Sequence, residues 1–98
     1  MNHFTIVGNV ADAPESFESS AGIAYAKLHV LVEKMSKDQE KEEVMFEVLL
    51  WREYAKMELV PGDIVAIRGK LQDNNNEKDG KTYYNVSLSA DFVEVYPS

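Results

Sequence analysis

Residues 44–71 read VMFEVLLWREYAKMELVPGDIVAIRGKL, a stretch that carries two strands with a short helical turn between them. Alternation puts Val44, Phe46, Val48 and Leu50 on one side of the first strand, and Met45, Glu47, Leu49 and Trp51 on the other. From Glu53 to Leu59, the positions of Tyr54, Met57 and Leu59 have helical spacing, and Pro61-Gly62 stops the turn. A strand over 64–71 follows, with Val65, Ile67, Gly69 and Leu71 inward and Arg68 and Lys70 outward.

Toward the N-terminus the same period recurs. Over 23–33, Ala24, Ala26, Leu28, Val30 and Val32 share one face, and Tyr25, Lys27, His29, Leu31 and Glu33 share the other. Phe4 to Val10 is rich in β-formers, and Gly8 inside it signals a bulge or a sharp bend. Asp12 to Glu15 interrupts that strand, and 19–22 reads as a turn. Residues 34–43 are dense in charge with almost nothing apolar, so they read as a polar loop. Toward the C-terminus, Asn74, Asn75 and Asn76 and then Asp79-Gly80 mark a hairpin loop. A last strand starts near Thr82 with Tyr84, Val86, Leu88 and Ala90 on one face, and Phe92, Val93 and Val95 extend it. Five short strands are too few for a two-sheet sandwich, whereas a closed barrel removes the exposed edges. With a helix after the third strand, the expected architecture is all-β: an oligonucleotide/oligosaccharide-binding (OB) barrel. A single domain is expected over 1–98, with no tail or second domain.

Composition narrows the chemistry. The 98 residues are 45% apolar and 28% charged, as in ordinary globular domains, and they include no cysteine for a disulfide or thiolate metal site. His3 and His29 could meet across neighbouring strands, but no third ligand accompanies them. Gly62 and Gly69 are not followed by the Gly-Lys-Ser/Thr of a phosphate cradle. Neither catalysis nor a metal or cofactor is expected. No apolar run reaches the ~18 residues of a membrane span, and no secretory signal opens the chain, so a soluble cytoplasmic protein without membrane contact is expected.

The formal charge of −7 opposes non-specific binding of a polyanion. Its distribution softens the objection. Residues 1–26 hold Asp12, Glu15 and Glu18 and no lysine or arginine, while Arg68, Lys70, Lys78 and Lys81 outnumber Asp73, Glu77 and Asp79. Binding a single strand needs ring faces for bases and cations for phosphates. Trp51, the only tryptophan, falls on an outward position, as do Tyr25 and Tyr83, whereas Tyr84, Phe46 and Phe92 fall on core faces. Arg68 and Lys70, joined by Lys27 and Lys81, supply the cations. The other reading of Trp51 has it packed against the helix at Tyr54 and Met57, or set in a subunit interface. Outward Phe4, Leu31, Leu49 and Met45 leave apolar surface that a homodimer or homotetramer would cover.

In order and spacing, these features resemble the bacterial single-stranded DNA-binding protein family. Asn2 and Ile6 to Val10 are similar to its opening strand, and Ala13-Pro14-Glu15 to its Asp-Pro-Glu, with the acid displaced to Asp12. Phe46 to Trp51 resembles its third strand, Pro61-Gly62-Asp63 and Val65 to Leu71 its glycine turn and fourth strand, and Asp79-Gly80-Lys81 with Tyr84 its last hairpin. The resemblance implies sequence-independent binding of single-stranded DNA, with RNA also admissible, in support of replication, recombination or repair. It implies self-assembly through the first strand, at Asn2, Phe4 and Ile6. Departures stand beside it. Met35-Ser36 and Asn74 to Asn76 replace frequent tryptophans, Glu47 replaces a basic or neutral residue, and Ala66 replaces a larger one. The chain stops at Tyr96-Pro97-Ser98 without an acidic tip, so tail-mediated recruitment of repair proteins is not expected. The alternative is an OB-fold interaction subunit of the primosomal replication protein N type, with weak or lost nucleic-acid binding. Carbohydrate binding is a third role that such barrels serve.

Overall fold

A computed structural model describes residues 2–35, 37–38, 40–73, 76–78, 81–83 and 86–96, with backbone alone for 35, 73, 76–78, 81–83 and 86. Its strands are β1 (Phe4–Val10), β2 (Glu15–Glu18), β3 (Ala24–Met35), β4 (Lys41–Trp51), β5 (Ile64–Asp73), β6 (Asn76–Lys78), β7 (Lys81–Tyr83) and β8 (Val86–Tyr96). Pairing runs β1–β5–β8–β4–β3, and β3 returns to β1 through Asn9 with Leu31 and Val10 with Val30. That return closes a five-stranded barrel, the expected OB architecture, with β2 added outside on β3. β4 and β8 pair in parallel, only at Val48 with Leu88 and Leu49 with Ser89, and the other ladders are antiparallel. β6 and β7 form a separate hairpin. Tyr84, Asn74, Asn75 and Asp79-Gly80 lie outside the described residues.

The period-two faces meet inside. Ala26, Leu28 and Val30 from β3, Val48 and Leu50 from β4, and Val65 and Ile67 from β5 are fully buried, with Val10, Leu59, Ala90 and Val93 completing the core. Each large side chain buried in this way contributes ~1.5–3 kcal/mol. Two glycines allow the backbones to approach. A Cβ on Gly8 would collide with the Leu31 carbonyl where β1 meets β3, and one on Gly69 would collide with the Ser89 carbonyl.

Five expectations are corrected. Phe92 is 40% exposed instead of lying in the core. Arg68 faces Phe92 but Gly69 faces Ala90, so Asp91 is an extra residue in β8. This bulge shifts the alternation, and inward positions run Leu88, Ala90, then Val93 and Val95. Leu71, two residues past the last buried position of β5, is exposed as well. Phe4 is not outward, because it packs with Ile6 against the core, and Val7 is the exposed apolar residue of β1. The charged segment 34–43 is not a loop throughout. β3 and β4 stay in register to Met35 and Lys41, with Lys34–Glu42 (3.6 Å) and Lys41–Glu33 (3.5 Å) ion pairs linking the strands.

The fifth correction is the helix, which is a 3-10 turn over Arg52–Lys56 instead of a helix over 53–59. Arg52 enters it at φ 56°, in the left-handed region, directly after the extended Trp51. Tyr54, Ala55 and Met57 rest on the core. The chain then turns at Gly62 (φ 96°), where the buried Asp63 carboxylate accepts the Val60 N–H at 3.2 Å. Val10 N–H donates to the Asp63 carbonyl (2.8 Å) and Gly62 N–H to the Val10 carbonyl (2.9 Å), tying the turn to the end of β1.

Candidate nucleic-acid interface

Barrel closure leaves the outward residues of β2, β3 and β4 in transverse rows. Phe17 faces Tyr25, and Tyr25 faces Trp51. Neighbouring strands lie ~4.8 Å apart, and the ring centroids follow that spacing. Phe17 and Tyr25 are 5.4 Å apart with planes 19° from parallel, and Tyr25 and Trp51 are 5.0 Å apart at 31°. The first pair is stacked and the second tilted, and both centroid distances lie in the ~4.5–7 Å range favourable for aromatic pairs. Trp51 ends the row, so one of its faces is covered by no aromatic of the row. Its ring lies against Tyr25, and both residues are half-buried.

The next row down joins Lys27, Leu49, Ser89 and Lys70 across four strands. The Lys27 ammonium sits 5.1 Å from the centre of the Phe17 ring, a cation–π contact that also holds the lysine at the edge of the aromatic row. Lys70 is exposed at the far end of its row. Beside Lys27 runs an open groove of about 580 Å³, lined in part by Tyr25, Lys27, Trp51, Leu49, Gln72 and Ser87. Its lining holds one carboxylate, Glu47, whose Oε2 lies 3.1 Å from Nε2 of its register partner His29. The groove thus combines aromatic faces, the aliphatic side chain of Leu49 and a lysine, with Lys70 further along the Lys27–Leu49–Ser89 row.

The other residues expected in the site are dispersed. Arg68 stands away from the groove, its guanidinium 5.0 Å over the Phe92 ring. Lys81 and Tyr83 belong to β7, and their side chains lie outside what is described. Asn2 is engaged within the chain, donating through Nδ2 to the Leu71 carbonyl (2.7 Å) and accepting the Leu71 N–H (3.0 Å). Among the described residues, no cluster of histidine and carboxylate side chains could hold a metal ion, and no helix is long and apolar enough to cross a membrane. Sequence reading missed Phe17. Its strand, Glu-Ser-Phe-Glu, is exposed throughout and carries a single apolar residue, so it has no alternation to detect.

Comparison with known proteins agrees with this architecture. The profile of the single-strand binding protein family matches residues 1–96. A single-stranded DNA-binding protein of Treponema pallidum is 31% identical over 104 residues, covering 100% of this chain and 59% of the relative. One from Deinococcus radiodurans is 34% identical over 102 residues, covering 97% of this chain and 34% of the relative. The chain therefore spans only part of the length of these relatives. In fold, it is similar to a crystal structure of a deletion mutant of the single-stranded DNA binding protein from Thermus aquaticus. The TM-score is 0.74 at 21% identity, over 98% of this chain and 50% of that one.

Proposed function

The chain belongs to the single-strand binding protein family, a family of binding proteins and not of enzymes, and from that membership we propose that it binds single-stranded DNA irrespective of sequence. The observation that carries the reading is the in-register row of Phe17, Tyr25 and Trp51 beside a lysine-edged groove. Every base has a π-face, so a base stacked on Trp51 gains ~1–3 kcal/mol whatever its identity. Lys27 and Lys70 then follow the phosphates on either side. Duplex DNA keeps its bases stacked on one another and has none to offer. The service such binding provides is cover for single strands exposed in replication, recombination or repair.

With few aromatics, Glu47 in the groove and a net charge of −7, binding is weak and depends on salt. Each phosphate contact adds ~0.7 to the log–log salt slope for single strands. Self-association through β1 accompanies this reading, with the 58%-exposed Val7 as its apolar contact in place of the inward Phe4 and Ile6. Sedimentation of the wild type and of Val7→Lys tests it, a monomer in both at micromolar concentration being the contrary result.

Fluorescence anisotropy of labelled oligothymidylate at low salt tests the binding itself. Saturable binding that competitor duplex displaces poorly is expected. No binding at low salt, or equal affinity for duplex, would leave an interaction module as the better reading.

A further inference from the structure

We infer that the stacking row does not end at Trp51 but continues across β8 to Phe92, whose ring and overlying Arg68 guanidinium form a further nucleotide station for the same single strand. The inference rests on the proposed single-strand binding and extends its path. β4 and β8 run parallel and pair last at Leu49 with Ser89, and Trp51 and Asp91 each lie two residues beyond that pair. At Asp91 β8 bulges, and the extra residue turns Phe92 outward instead of into the core. Opposite it on β5, Arg68 places its guanidinium 5.0 Å over the ring.

Space for a ligand is present. A depression of about 450 Å³ is lined by His3, Phe4, Arg68, Gly69, Asp91 and Phe92. Lys70 is exposed two residues along β5 from Arg68 and belongs to the groove's lysine row, so a backbone leaving Trp51 meets a cation before reaching the depression. A guanidinium above a ring suits a nucleotide. The planar cation can donate two hydrogen bonds to a phosphate while the ring stacks a base. The Asp91 carboxylate lines the same depression.

The test titrates Phe92→Ala, Phe92→Leu, Arg68→Gln and wild-type protein with labelled oligothymidylates at the two ends of the ~4–16-nucleotide range that one OB fold covers. For the long oligonucleotide, loss of one stacked base weakens binding roughly 5- to 150-fold. Both Phe92 variants are expected to show this loss, Leu because it keeps apolar bulk without a π-face, and the shortest oligonucleotide is expected to bind unchanged. Arg68→Gln lowers the salt slope for the long oligonucleotide by ~0.7. Wild-type affinity and slope in all three variants would overturn the station. A change in sedimentation without one in affinity would do the same, assigning Phe92 to a contact between copies. If wild-type protein binds no oligonucleotide at all, the proposed function fails together with its extension.

Discussion

Tyr25 on β3 and Trp51 on β4 are register partners whose ring centroids lie 5.0 Å apart, so the indole has an aromatic neighbour across the strands. That relationship gives the account its physical basis. A ring fixed before a base arrives loses little rotamer freedom on binding, and the favourable stacking energy is less offset by ordering.

Phe17 holds Tyr25 from the other side, and the two are expected to act as a unit. A double-mutant cycle over Phe17→Ala and Tyr25→Ala should return a coupling of ~0.5–1.5 kcal/mol in urea unfolding, the range for paired aromatics. Strict additivity would mean that the stacked geometry contributes nothing beyond burial.

Glu47 is the one carboxylate in the groove lining, 3.1 Å from His29. Replacing it with glutamine keeps the shape and removes a charge facing the phosphate path. Exposed charge interactions are worth ~0.2–1 kcal/mol, so Glu47→Gln should tighten oligothymidylate binding by up to about fivefold at low salt. The gain should fade as salt rises. Weaker binding by the variant would place the strand away from this groove.

Gly69 faces the β8 bulge with the Ser89 carbonyl in the place of its missing side chain. Gly69→Ala therefore forces two strands apart in the barrel wall. Overpacking of this kind costs ~1–3 kcal/mol, and each kcal/mol lowers Tm by roughly 4–8 °C in a domain of this size. Thermal unfolding within a degree of wild type would contradict the close approach.

What was legible in the chain followed the strength of its alternation. Long strands with a continuous apolar face, such as Ala26 to Val30 and Val48 to Leu50, announced both the barrel and the outward positions of Tyr25, Lys27 and Trp51. Phe92 was hidden because the bulge at Asp91 shifts the period by one residue, and nothing local in Ser-Ala-Asp-Phe marks it. Arg68 was read together with Lys70 beside Trp51, and its guanidinium lies instead over the outward-turned Phe92. The β3–β4 hairpin looked like a loop because its stabilising contacts at Lys34 and Lys41 are cross-strand ion pairs and not apolar ones.

Trp51 offers the most direct test of stacking, because it is the only tryptophan and its emission reports one site. Adding single-stranded oligothymidylate should quench that emission strongly, while duplex of equal length should quench it much less. Trp51→Ala should weaken binding by ~1–3 kcal/mol, a factor of roughly 5 to 150, and leave the barrel folded. An emission unchanged by single strands, together with a destabilised Trp51→Ala protein that binds as tightly as wild type, would contradict the account.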